Sequence, residues 1–101
     1  MNYNVFIKSL ENDSPPNELS SLMKAMWYAK IDQWDKAHHI AQDITSETGS
    51  WIHAYLHRVE GDQPNANYWY QRANREPSSI NLDDEAEQII MYILEIEKGV
   101  L

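Results

Sequence analysis

The chain has 101 residues, 16 acidic against 8 basic, a formal charge of −8, 43% hydrophobic and 11% aromatic content, and no cysteine. That describes one small domain, able to bury roughly 60–70% of its unfolded surface and too apolar to stay disordered. The charge disfavours nucleic acid and anionic membrane surfaces as partners, and the lack of thiols excludes disulfides and cysteine chemistry. No charged-then-apolar leader follows Met1, and no apolar run is long enough to cross a bilayer, so a cytoplasmic protein is expected.

In chain order, residues 3–11 predict a short first helix, with Phe6 and Leu10 one turn apart; Val5 and Ile7 leave a strand as the alternative. Asn12-Asp-Ser-Pro-Pro16 is a break, and Ser14 as cap with Pro15 just inside predicts the start of a second helix. Leu19, Leu22, Met23, Met26, Trp27 and Ile31 give it a wide apolar face. The chain turns near Ile31–Gln33, with Asp32 available as the next cap. A third helix then takes Trp34, Ala37, Ile40, Ala41 and Ile44 inward, and Thr48-Gly49-Ser50 is expected to close it and to open the central hairpin. Residues 51–73 predict helix, tight turn, helix. Trp51, Ala54, Tyr55 and Leu56 form one stripe; Gly61 stops the first helix; Asp62 caps the second, with Pro64 in its first turn. Ala66, Trp69, Tyr70 and Ala73 then recur at helical spacing, and so short a linker folds the pair into a hairpin. After a loop at 75–79, a last helix starts near Asp83 and runs through Ala86, Ile89, Ile90, Ile93, Leu94 and Ile96 to Gly99. The acidic runs Asp83-Asp84-Glu85 and Glu95-Ile-Glu97 read as solvated faces. No Gly- or Pro-rich linker divides the chain, so residues 1–101 are expected to form a single helical domain.

Asp32-Gln-Trp-Asp-Lys-Ala37 and Gly61-Asp-Gln-Pro-Asn-Ala66 occupy the same point of successive hairpins. Here the chain resembles tetratricopeptide repeats, and more closely their Sel-like relatives. The string Ala66-Asn-Tyr-Trp-Tyr-Gln-Arg-Ala73 matches the second-helix pattern, whereas Ala37-His-His-Ile-Ala-Gln-Asp-Ile44 fits loosely. The resemblance implies an all-α fold, a short right-handed α-α superhelix of about six helices, with the outer helices acting as caps. Residues 34–73 also resemble the core signature of a widespread helical family of unassigned function, through Trp34-Asp-Lys-Ala-His-His-Ile-Ala-Gln-Asp-Ile44, His53-Ala-Tyr-Leu-His-Arg-Val-Glu-Gly-Asp62 and Asn65-Ala-Asn-Tyr-Trp-Tyr-Gln-Arg-Ala73. That resemblance implies a fold and a shared surface, and no chemistry.

Three groups of side chains are candidates for function. His53 and His57 are four apart, so both rings leave one helix face, as a two-histidine metal pair requires; Glu60 continues that face, and His38 or His39 could add a third nitrogen. In the repeat register the same positions are packing positions, which is the favoured reading. The His-Glu-x-x-His arrangement is absent, Ala54 following His53. Arg58, Glu60, Asp62, Arg72 and Arg75 form a charge cluster, read as internal salt bridges in preference to a carboxylate or phosphate pocket. Finally, so many Trp and Tyr residues cannot all be buried in a domain this small, and exposed ones, with Arg, are interface residues.

No serine elbow, phosphate loop or cysteine–histidine pairing is present. The expected function is therefore a helical-repeat interaction module that binds a protein segment or itself, without catalysis or cofactor. Its binding surface is expected at Trp51, Tyr55, Arg58, Asn65, Trp69 and Arg72. Self-association through the last helix, as a homodimer, is a further expectation. The alternative is a metal- or small-ligand-binding protein, an enzyme among the options, centred on His53, His57 and Glu60.

Overall fold

The computed structural model describes residues 1–99, and its regular structure is helical. The helices are α1 (Tyr3–Ser9), α2 (Ser21–Lys30), α3 (Trp34–Gln42), α4 (Glu47–Val59), α5 (Gln63–Arg72) and α6 (Leu82–Glu97). Among the described residues there is no strand, so Val5 and Ile7 lie within a helix. Helix α4 is the axis of the molecule: α2, α3, α5 and α6 all pack on it, while α1 packs on α6. Every residue from Gly49 to His57 is buried, as expected of a helix surrounded by neighbours. One core joins Phe6, Met23, Met26 and Trp27 to Ile52, Leu56, Tyr70, Ile89, Ile90 and Ile93. The extents of 33 × 29 × 25 Å are nearly isotropic.

Local chemistry explains the helix boundaries. Asn2, Ser20, Ser46, Asp62 and Asn81 each cap a helix by accepting a hydrogen bond from a backbone N–H three residues on. Helices α2, α4 and α5 end alike. Gln33 N–H reaches back to the Tyr28 carbonyl, Asp62 N–H to His57 and Arg75 N–H to Tyr70, at 2.9, 2.9 and 3.0 Å. The residue before each, Asp32, Gly61 or Asn74, has φ of +61°, +85° or +59°. These are Schellman closures, and Asp, Gly and Asn are the residues that tolerate the left-handed turn. The first two closures are separated by the interval that separates Ala37 from Ala66.

Several boundaries differ from expectation. The second helix starts at Ser21, not at Pro15, because Pro16 bars its predecessor from the helical region and a Pro-Pro pair cannot nucleate a turn. Asp32 is the left-handed residue that ends α2, so the N-cap of α3 falls to Gln33, whose side chain makes no capping bond. Thr48-Gly49-Ser50 opens the central hairpin, lying in the first turns of α4, but does not also end α3, and Ile44 lies beyond α3. Most of the apolar residues of α6 that suggested self-association are taken up within the chain, Ile96 staying half-buried. Ile89, Ile90 and Ile93 are fully buried and Leu94 nearly so, leaving Met91 and Tyr92 exposed on the outer face. Indole N–H groups fasten the framework: Trp27 Nε1 donates to Ser9 Oγ at 3.1 Å and Trp34 Nε1 to the Leu56 carbonyl at 2.7 Å.

Gly49 is required for space. A Cβ there would stand 2.4 Å from the Ile44 carbonyl oxygen and 2.6 Å from its Cγ2. Helix propensity alone favours alanine by ~1 kcal/mol, but moving backbone aside costs about 1–3 kcal/mol. Gly49→Ala is therefore expected to lower the melting temperature followed by circular dichroism. A rise would mean that the α3–α4 elbow is looser than described.

Candidate functional site

Two polar constellations flank α4, and they use opposite sides of it. On one side Trp51, Tyr55 and Arg58 follow at i, i+4 and i+7, and Trp51 and Arg58 meet Glu85 of α6, whose side chain is fully buried. Trp51 Nε1 donates to Glu85 Oε2 at 3.0 Å and the Tyr70 hydroxyl donates to the same oxygen at 2.5 Å. Arg58 Nη1 donates to Glu85 Oε1, and its Nη2 holds the Ile80 carbonyl at 2.7 Å. Burial alone would weaken the Arg58 cation, but hydrogen bonding and attraction to Glu85 outweigh it and raise its pKa. Burial, then the Glu85 carboxylate, pushes the Tyr70 hydroxyl well above its ordinary pKa. Burial, then Asp83 and Glu85, pushes Tyr55 up to about 12. Both phenols therefore keep their protons at neutral pH. This network locks α4, α5, α6 and the loop before α6, and it corrects the reading of Glu85 as part of a solvated face. Its clue lies in register: Glu85 shares the i, i+4, i+8 stripe of Ile89 and Ile93, and an acid on an apolar stripe demands a buried partner.

On the other side, α4 presents His53 and His57, both buried, and α3 brings up His38. His38 Nε2 and His53 Nε2 are 2.9 Å apart, so one ring donates and the other accepts. His57 Nδ1 lies 2.6 Å from Glu60 Oε2. The rings stack into a continuous assembly: Trp34 on His38 with centroids 4.7 Å apart, His53 on His57 at 4.9 Å, and His53 on Trp69 at 3.8 Å. Burial, then His38 and His57, lowers the His53 pKa to about 4. Burial, followed by His57, lowers that of His38 as well. Of the two candidates for a third nitrogen, His38 joins the cluster and His39 is exposed. His38 is one turn from Trp34, on the side of α3 that faces α4.

The five residues read as one charge cluster are dispersed. Arg58 pairs with Glu85, Glu60 with His57, and Asp62 caps α5. The Arg72 guanidinium lies 5.4 Å over Trp69 and 5.9 Å over Tyr68. That of Arg75 lies 3.4 Å over Trp51 and 5.5 Å over Tyr92. The six residues expected to form a binding surface fall in two places. Trp51 and Arg58 bond Glu85 and Tyr55 is buried between them in sequence, with Trp51 and Tyr55 only 4% and 5% exposed, while Asn65, Trp69 and Arg72 follow one face of α5, half-buried to exposed, with Trp69 stacked on His53. The exposed rim of Trp51 belongs instead to a surface cavity of about 290 Å³, lined with Glu47, Thr48, Asn74, Arg75 and Tyr92. A shallower depression continues it past Glu87, Gln88 and Met91. Sequence reasoning missed Arg75, Met91 and Tyr92 as one patch because they are joined only when the loop after α5 folds back over α4 and α6.

Comparison with known proteins finds no matching family model, no matching curated protein and no matching solved structure. Among the described residues, no helix is long and apolar enough to cross a membrane.

Glu85→Ala strips Arg58, Trp51 and Tyr70 of their common acceptor, and removing one partner of a buried ion pair costs about 3–5 kcal/mol. Chemical denaturation should register a loss of that order; a loss below ~1 kcal/mol would show that water replaces the carboxylate freely. His53 supplies a pH test. The folded state disfavours its proton, so its contribution is intact above the ordinary value of 6.5 and is lost as pH falls from there through about 4. Between pH 7 and 5 urea unfolding should show a fall on the order of 2 kcal/mol, which His53→Phe diminishes. An identical fall in the variant would locate the titration elsewhere.

Proposed function

We propose that this chain is a helical-repeat interaction module, acting without catalysis, that binds a protein segment on the face made by Trp51, Arg75, Met91 and Tyr92. The observation that carries this reading is the Arg75 guanidinium laid 3.4 Å from the Trp51 ring centre, at the edge of an open cavity. Among the described residues the Arg75 side chain has no ion pair, so its planar face is held while its N–H edge stays open to a carboxylate. Stacking prepays part of the ordering cost that binding otherwise demands. Met91, 44% exposed, and Tyr92, 36% exposed, extend the patch with the side chains that protein interfaces favour. The occupant that fits is an extended segment with a carboxylate for Arg75 and an apolar side chain for Met91 and Tyr92.

The repeat reading is supported by the matched closures of α2 and α4, and by Ala25 and Ala54, like Ala37 and Ala66, fully buried at equivalent points. We infer on this ground that the two hairpins are units of the tetratricopeptide kind, with α1 and α6 as caps. A cytoplasmic location accords with a composition free of cysteine.

Selection of a random peptide library against the purified protein tests the proposal. Enriched peptides should combine a carboxylate with a neighbouring apolar residue, and Arg75→Ala should weaken them at least about tenfold while leaving the helical spectrum unchanged. Peptides insensitive to Arg75→Ala would contradict it. So would a dimer by light scattering that Tyr92→Ala converts to monomer, since a second copy would then be the occupant.

A further inference from the structure

We propose that His38, His53 and His57 form a binding site for a divalent transition metal of the zinc class. One ring nitrogen from each residue lies within 4.8 Å of the others, and the His38–His53 pair is at 2.9 Å. A tetrahedral ion with metal–nitrogen bonds of about 2.0–2.1 Å needs nitrogens ~3.3 Å apart, a figure close to the 2.9 Å pair and inside the 4.8 Å limit. Three imidazoles are a donor set suited to zinc, copper or nickel, whereas calcium and magnesium prefer oxygen ligands. The backbone already fixes the array. His53 and His57 are one turn apart on α4, and α3, packed alongside, supplies His38.

The surroundings provide what a metal-binding histidine needs beyond its ligating atom. The Glu60 carboxylate accepts the His57 Nδ1 proton at 2.6 Å, which leaves Nε2 with its lone pair free for an ion. The stacks of Trp34 on His38 and Trp69 on His53 hold two of the rings against rotation. His57 also belongs to a second group of donors with Glu60 and Asp62, both more exposed, at the α4–α5 turn. The direct His38–His53 hydrogen bond gives way when the ion enters. The donor ring moves its proton from Nε2 to Nδ1, so the cation binds two neutral imidazoles without net proton release.

This inference is independent of the peptide-binding face, because none of its residues lines that cavity. Protein without a histidine tag, titrated with Zn(II) in a calorimeter and with Co(II) in a spectrophotometer, tests it. One equivalent of Zn(II) should bind, and Co(II) should give the intense visible absorption of a tetrahedral site. His38→Gln, at a half-buried position, should weaken Zn(II) at least about 100-fold, and Glu60→Gln about 10-fold. His39→Gln, on the exposed side of α3, should leave binding unchanged. Circular dichroism of each variant separates lost ligation from lost folding, and Glu60→Gln alters only an exposed carboxylate. Failure to bind one equivalent, or binding that survives His38→Gln in a folded variant, would overturn the site.

Discussion

A single carboxylate, Glu85, sets the conditions under which the rest of this molecule folds. It is buried with no exposure, and three donors from two other helices converge on it. A buried charge is tolerated only when it is paired and its lone pairs are engaged, so the position of α6 is not free to slide. Apolar packing of Ile89, Ile90 and Ile93 supplies attraction without direction, and the network supplies direction. It also draws in Ile80 through Arg58, which anchors the loop that carries the chain from α5 to α6.

With that anchor in place, the two sides of α4 take different tasks. At ~100° per residue, Trp51, Tyr55 and Arg58 project about opposite to His53 and His57. One side is closed by Glu85 and is structural. The other presents three imidazoles and two tryptophans: His38 and His53 bond one another, His57 bonds Glu60, and the Trp34 indole bonds the Leu56 carbonyl. Among the described residues no buried side-chain nitrogen or oxygen lacks a partner. A helix buried on all sides can therefore carry polar side chains on two faces, provided each face brings its own acceptors.

What can be read from the residues alone follows from how local the cause is. Gly61, Asp62 and Pro64 specify a helix end and a helix start within four positions, and the hairpin of α4 and α5 follows from them. The His53–His57 pair was legible for the same reason, being one turn apart. For Glu85 only the place on the Ile89–Ile93 stripe was local; its three partners come from positions 51, 58 and 70, and its neighbours Asp83 and Asp84 are ordinary exposed first-turn acids. Gly49 misled because a glycine more often ends a helix than admits a neighbouring carbonyl into its first turn. Pro15 misled because the start it signals is cancelled by the proline that follows. The choice between His38 and His39 depended on the rotation of α3 against α4, which no spacing within α3 determines. The stacking of Arg75 on Trp51 depends likewise on where the loop after α5 returns.

The position of α6 rests on Glu85 being sealed and fully engaged, and the Trp51 indole proton reports this directly. Its hydrogen exchange, followed by NMR under native conditions, should require the same free energy as global unfolding measured with denaturant, since the proton is released only when α4 and α6 separate. Exchange through a much cheaper local opening, with the remaining core still protected, would contradict the central place given to Glu85.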